Sequence, residues 1–219
     1  MLRLLTFAMM LLSLAAPAAA QSNSVYIDQI GSSNVIDITQ AGSGNRIGAS
    51  VTPSTITGSS NTVTITQTGD TNALDYSING GTNTATLAYT GNGNTATLTC
   101  GNNTTSCNDA AITHTIIGDD NIISTLMAGN GLTNTLTVTG NSNNISTNQN
   151  GNDKTQNMTL TGDSNIIVAS QAGVGTHSLT MSVTGNSNTY DISQAGAVTN
   201  TLVINTQGSN NNVTISQSN

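Results

Sequence analysis

Apolar and polar positions alternate along most of this chain. In the stretch 188–194, Asn188, Tyr190, Ile192 and Gln194 share one parity, and Thr189, Asp191 and Ser193 share the other. Strict alternation is the period of a strand, not of a helix. The same inward set recurs as Asn34, Ile36, Ile38 and Gln40, and as Asn61, Val63, Ile65 and Gln67. It recurs again as Asn165, Ile167, Ala169 and Gln171, and finally as Asn211, Val213, Ile215 and Gln217. Asn143 and Gln149 bracket another copy, while other units place Leu74 and Tyr76, Ala85 and Leu87, Ala96 and Leu98, Leu136 and Val138, or Leu202 and Ile204 on the inward parity.

A glycine opens each unit. Gly31, Gly42, Gly58, Gly69, Gly140, Gly162, Gly185 and Gly208 belong to a series of sixteen, most of whose steps are 11 or 12 residues. Each unit therefore predicts one strand of five or six residues and one tight turn. Gly, Asn, Asp and Ser suit that turn through positive φ and local side-chain hydrogen bonds.

One such strand cannot bury its apolar face alone, but two folded face to face can. The expected fold is all-β: an amyloid-like β-solenoid with two strands in each coil of about 22 residues and about eight coils. Coils stacked at the sheet spacing of about 4.8 Å make a rod roughly 40 Å long.

The inward Asn and Gln need partners, because an unpaired buried amide costs about 1–3 kcal/mol. Stacked copies solve this if each side-chain carbonyl accepts from the amide of the next coil. The predicted ladder amides are Asn34, Gln40, Asn61, Gln67, Asn143, Gln149, Asn165, Gln171, Asn188, Gln194, Asn211 and Gln217. The predicted core is Ile36, Ile38, Val63, Ile65, Ile167, Tyr190, Ile192, Val213 and Ile215.

Two insertions interrupt the register, near 52–57 and 100–108. The first carries Pro53, which cannot donate to a ladder and so belongs in a bulging loop. The second holds both cysteines, Cys100 and Cys107. In an exported chain these predict a disulfide closing the loop, with free or intermolecular thiols as the alternative. No domain boundary is evident within 21–219.

Export itself is read from the first 20 residues. Arg3, the apolar run Leu4 to Leu14 and Ala18-Ala19-Ala20 form a secretory signal peptide cut after Ala20. The run is too short to span a bilayer. Removal of residues 1–20 leaves Arg46 and Lys154 against ten Asp and no Glu, a net charge of about −8. That balance excludes nucleic acid as a partner and disfavours anionic membrane surfaces, so no membrane insertion is expected. Without Glu, and nearly without Lys or Arg, the chain lacks the usual helix formers.

Catalytic chemistry finds no constellation. His114 lies in a strand and His177 in a turn region, each without a partner base or nucleophile, so both read as structural or solvated. No G-x-S-x-G elbow is present. Asp70, Asp119, Asp120 and Asp163 occupy turns without a calcium-loop spacing. Two cysteines are too few for a metal site. The expectation is a non-enzyme without cofactor. Thr62, Thr64, Thr66, Thr84, Thr86, Thr135 and Thr137 point outward in units of one phase, as in the Thr-x-Thr arrays of ice-binding solenoids. Thr is also simply a good polar strand former.

The unit from Asn34 through Gln40 to Gly42, Gly44 and Asn45 resembles the curlin repeat, S/N-x5-Q-x-G-x-G-N. Asn61 to Gln67 with Gly69 and Asn72, Asn165 to Gln171 with Gly173, and Asn188 to Gln194 with Gly196 are similar. Ile78, Tyr89, Cys100 and Met127 stand where the closing Gln is expected. The resemblance implies a fibre subunit passed through an outer-membrane secretion channel of a Gram-negative-type bacterium. It also implies a nucleator subunit, and polymerisation into extracellular amyloid that supports biofilm, adhesion and cell aggregation.

The residues favour self-assembly on their own account. The first strand, Val25 to Gln29, and the last unit, Asn211 to Gln217, show no polar cap, and an uncapped solenoid end is a template for another copy. Few charges oppose stacking. The alternative is a monomeric solenoid that binds ice or a carbohydrate surface.

Overall fold

The computed structural model describes residues 22–31, 33–49, 54–58, 60–78, 80–101 and 107–219. The signal-peptide reading (1–20), Pro53 and most of the cysteine loop lie outside them. The described residues form a β-solenoid of about eight turns, with strands, turns and bends but no helix. None of them therefore builds a helix long and apolar enough to cross a membrane.

Two parallel sheets face each other across the core. The long sheet runs through nine tiers, from Ser24–Val25 and Ile27–Gln29 to Asn212–Ser218. The short sheet runs through eight, from Val35–Ala41 to Thr201–Gln207. Successive tiers pair in register, so a position meets its own equivalent one coil on. Ile145 pairs with Ile167, Ile167 with Tyr190, and Tyr190 with Val213. Full strands reach seven to nine residues, because the last turn-flanking residues also join the ladder.

The inward parity is the core. Val63, Ile65, Ile167, Tyr190 and Ile192 are buried, each contributing about 1.5–3 kcal/mol through apolar burial. Ile36, Ile38, Val213 and Ile215 point the same way but are only half-buried, since their strands are the outermost tiers. Both insertions fall within tiers of the long sheet. Arg46–Ile47 stops at Gly48, and the tier resumes as Ser54–Ile56, so strand reclaims part of the loop read as 52–57. Thr95–Cys100 likewise resumes as Cys107–Asn108, and a disulfide joins Cys100 to Cys107 across the excursion. In both places the tier offset grows from 22 to 27 residues while the register on either side is kept.

Turn glycines let coils approach closely. Gly140 has φ of 135°, and a Cβ there would sit 2.0 Å from the carbonyl oxygen of Gly162. Gly31, Gly42, Gly69, Gly162, Gly185 and Gly208 also have positive φ. Gly58 does not; its constraint is the approach alone, with a Cβ falling 2.1 Å from Gly80 O.

Candidate functional site: amide ladders and stack ends

Each coil has two corners, and they are built differently. At the corner entering the long sheet, every unit after the first places Asn three residues after its turn glycine. The column is Asn23, Asn45, Asn72, Asn94, Asn121, Asn143, Asn165, Asn188 and Asn211, linked by hydrogen bonds without a break. In the repeated step, the backbone N–H and Nδ2 of one Asn both donate to Oδ1 of the Asn before it. Asn143 does so to Asn121 at 3.0 and 2.9 Å, and its other amide proton goes to Gly162 O at 2.9 Å. Every polar atom of a buried amide is thereby used.

The ladder readings made from sequence covered only part of this column. Asn143, Asn165, Asn188 and Asn211 are in it. Asn45, Asn72, Asn94 and Asn121 were missed because their units lack a closing Gln. The Gly-x-x-Asn spacing, present in all of them, was the usable signal.

Asn34 and Asn61 stand at the opposite corner. There Asn34 Nδ2 donates to Asn61 Oδ1 at 2.9 Å, and Asn61 donates to Asn83 at 2.8 Å. The column then continues through Ala110, Leu132, Lys154, His177 and Asn200, with no amide ladder. Lys154 is buried, with no salt bridge to a carboxylate among the described residues, and its ammonium is held by the carbonyls of Asn152, Gly173 and Gly175. Burial pushes its pKa down. His177 begins a strand rather than lying in a turn, is buried, and shares a 2.8 Å hydrogen bond with Ala172 O.

The glutamines form two shorter ladders. In the long sheet Gln149, Gln171 and Gln194 donate in turn to Gln171, Gln194 and Gln217, at 3.1, 2.9 and 2.9 Å. Their second amide protons cross to carbonyls of the facing sheet, at Thr133, Thr155 and Ser178. In the short sheet Gln40 donates to Gln67 at 2.7 Å. Ile78, Cys100 and Met127 occupy the earlier tiers of the long-sheet column, so Gln149 Oε1 is buried without a donor.

A third row runs along the turns. One residue after the glycine, Asp70, Asn92, Asp119, Asn141, Asp163 and Asn186 alternate, each side chain accepting the backbone N–H of the unit before. Alternation keeps carboxylates two tiers apart, which limits like-charge repulsion. Bonds from Ser43 hold the Asp70 carboxyl below its ordinary range.

Mid-stack, a polar seam replaces apolar packing. His114 is buried, with Nδ1 3.0 Å from Tyr89 Oη and Nε2 3.1 Å from Thr125 Oγ1. Thr125 meets Thr147 at 3.1 Å, and Asn134 donates to Thr147 at 3.2 Å. Burial pushes the imidazole down to about 4 and raises the Tyr89 phenol. The seam crosses the core, with Tyr89, His114, Thr125, Asn134 and Thr147 all buried.

On the outer face of the short sheet the register aligns Thr with Thr. Thr62 lies beside Thr84, Thr133 beside Thr155, Thr137 beside Thr159, and Thr139 beside Thr161. The long sheet shows mixed residues outside, including exposed Ile122, Ile166 and Val168.

At the first tier, Val25 is 43% exposed although its column is core from Ile47 to Tyr190. Asn34 Oδ1 is buried and has no hydrogen-bond partner. At the last tier no donor among the described residues reaches Asn211 Oδ1. No group of His, Cys, Asp or Glu among the described residues is arranged to hold a metal. No protein-family model matches the chain, no curated protein matches it, and no solved structure matches it.

Proposed function

We propose that this chain is an exported structural subunit that polymerises through the ends of its solenoid into extracellular, amyloid-like fibres. The observation that carries this reading is the unbroken Asn column, in which each Oδ1 accepts the backbone N–H of the next Asn and the last, Asn211 Oδ1, has no donor among the described residues. A further copy is received by the same bonds that join one coil to the next. Half-exposed core residues at both outermost tiers add an apolar gain to that union. The curlin-like spacing extends the reading to a cell-surface fibre of biofilm matrix, with a nucleator subunit and an outer-membrane channel as partners and adhesion and cell aggregation as outcomes. Catalysis and cofactors have no part in it.

Incubating the purified chain and following amyloid-dye binding, fibre diffraction and electron microscopy tests the reading. Fibres with a repeat of about 4.8 Å along their axis are expected. A chain that stays monomeric for days contradicts it.

The aligned threonines favour one second reading, a binding solenoid that meets ice or a carbohydrate surface with the outer face of its short sheet. Thermal hysteresis with shaped ice crystals, from a chain that forms no fibres, would select it.

A further inference from the structure

The two sheets have unequal numbers of tiers, nine against eight, and this restricts how a second copy can join. Among the described residues the first and last strands, Ser24–Val25 and Asn212–Ser218, both lie in the long sheet. Suppose Ser24–Gln29 of one copy stacks on Asn212–Ser218 of another. The long sheet is then continuous, but the short sheet lacks one strand between Thr201–Gln207 and Val35–Ala41. A vacant tier exposes two strand edges and the core behind them, leaving their backbone groups and apolar face without partners.

Resting on the end-to-end reading above, we infer that the last strand of one copy displaces the first strand of the next. Asn212–Ser218 then takes the tier held by Ser24–Val25 and Ile27–Gln29, and both sheets continue without a gap.

Three observations support the exchange. First, the strands are equivalent in column: through the intervening tiers, Asn211 matches Asn23, Val213 matches Val25 and Ile215 matches Ile27. Asn211 Oδ1 thus accepts the backbone N–H of the next copy's Asn45, the bond that Asn23 Oδ1 accepts within the chain.

Second, the resident strand is the weaker occupant. Its inward Val25 and Gln29 are exposed, whereas the inward Val213, Ile215 and Gln217 of Asn212–Ser218 are all half-buried.

Third, the exchange brings Thr201–Gln207 directly onto Val35–Ala41. Asn200, in the column of Asn34, donates only one amide proton within its chain, to Ala195 O. Its second is placed to donate to the partnerless Asn34 Oδ1.

Hydrogen exchange of fibres grown from the whole chain discriminates the joints. Exchange predicts that amides of 24–29 lose protection in the fibre relative to the monomer while those of 35–41 gain it. Simple stacking predicts the converse, protected 24–29 beside an exposed 35–41 edge, and that pattern overturns the inference while leaving end-to-end assembly intact. Seeded elongation of Ile27→Pro supplies a second readout. Weakening the resident strand speeds elongation several-fold if it must leave, and a slower rate than wild type overturns the inference. A wild-type chain that forms no fibres removes both the inference and the reading beneath it.

Discussion

The two corners of the coil do opposite things with the same position. One carries asparagine in all nine tiers, and every tier there is interchangeable with its neighbours. The other runs from Asn34 and Asn61 through Ala110, Leu132, Lys154 and His177, and no two adjacent late tiers are alike. A stack made only of the first corner could slip by a whole coil at little cost. The second corner removes that freedom, because Lys154 finds its three carbonyls in one register only. Uniformity is what the proposed templating of a further copy relies on; irregularity gives each coil its own address.

Breaking the uniform corner is expected to have the largest effect. Asn121→Leu orphans the backbone N–H and Nδ2 of Asn143, two buried donors at about 1–3 kcal/mol each. Chemical denaturation should report a loss of about 2–6 kcal/mol, again on the per-group scale of an orphaned donor. Asn200→Leu, in a column that already holds Leu132, should cost about 1 kcal/mol or less. Equal losses at the two sites contradict the distinction between corners.

The buried seam beside the irregular corner adds a pH dependence. His114 has a folded pKa of about 4 against its ordinary 6.5, so the fold favours the neutral ring. Its contribution is fully present above pH 6.5 and is lost as pH falls from 6.5 through 4, about 3 kcal/mol in all. In His114→Leu this part of the stability–pH slope should disappear, whatever the variant's stability at neutral pH. An unchanged slope assigns the acid sensitivity elsewhere.

Extending uniformity should stabilise. Met127→Gln places an amide whose Nε2 reaches the unpartnered Gln149 Oε1, lengthening the glutamine ladder by one tier. A gain of about 1 kcal/mol is expected in denaturant titration. The smallest effect belongs outside: Thr137→Val, on the exposed face, should stay within about 0.5 kcal/mol of wild type.

Much of this was legible in the residues. Parity gave strand, inward set and coil, because period-2 alternation and a repeating glycine leave few other folds. The ladders were legible in kind but not in extent. Requiring a glutamine to close each unit hid Asn45, Asn72, Asn94 and Asn121, although the corner needs only glycine and asparagine at the right spacing. His177 looked like a turn residue because the Gly173–Gly175 pair precedes it, yet its ring replaces an inward side chain. The irregular corner and the polar seam were not legible, since they depend on which coil lies next to which. The same holds for the insertions: only tier pairing shows that each is a five-residue excursion from a strand that resumes in register.

The central claim is that the stack ends are the growing surfaces. Seeded elongation tests it most directly, comparing wild type with Ile215→Pro, with a chain lacking Asn211 to Asn219, and with Thr137→Val as the outer-face control. The account predicts that the first two elongate far more slowly while Thr137→Val keeps the wild-type rate. Equal rates in all four, or a defect confined to Thr137→Val, would contradict it.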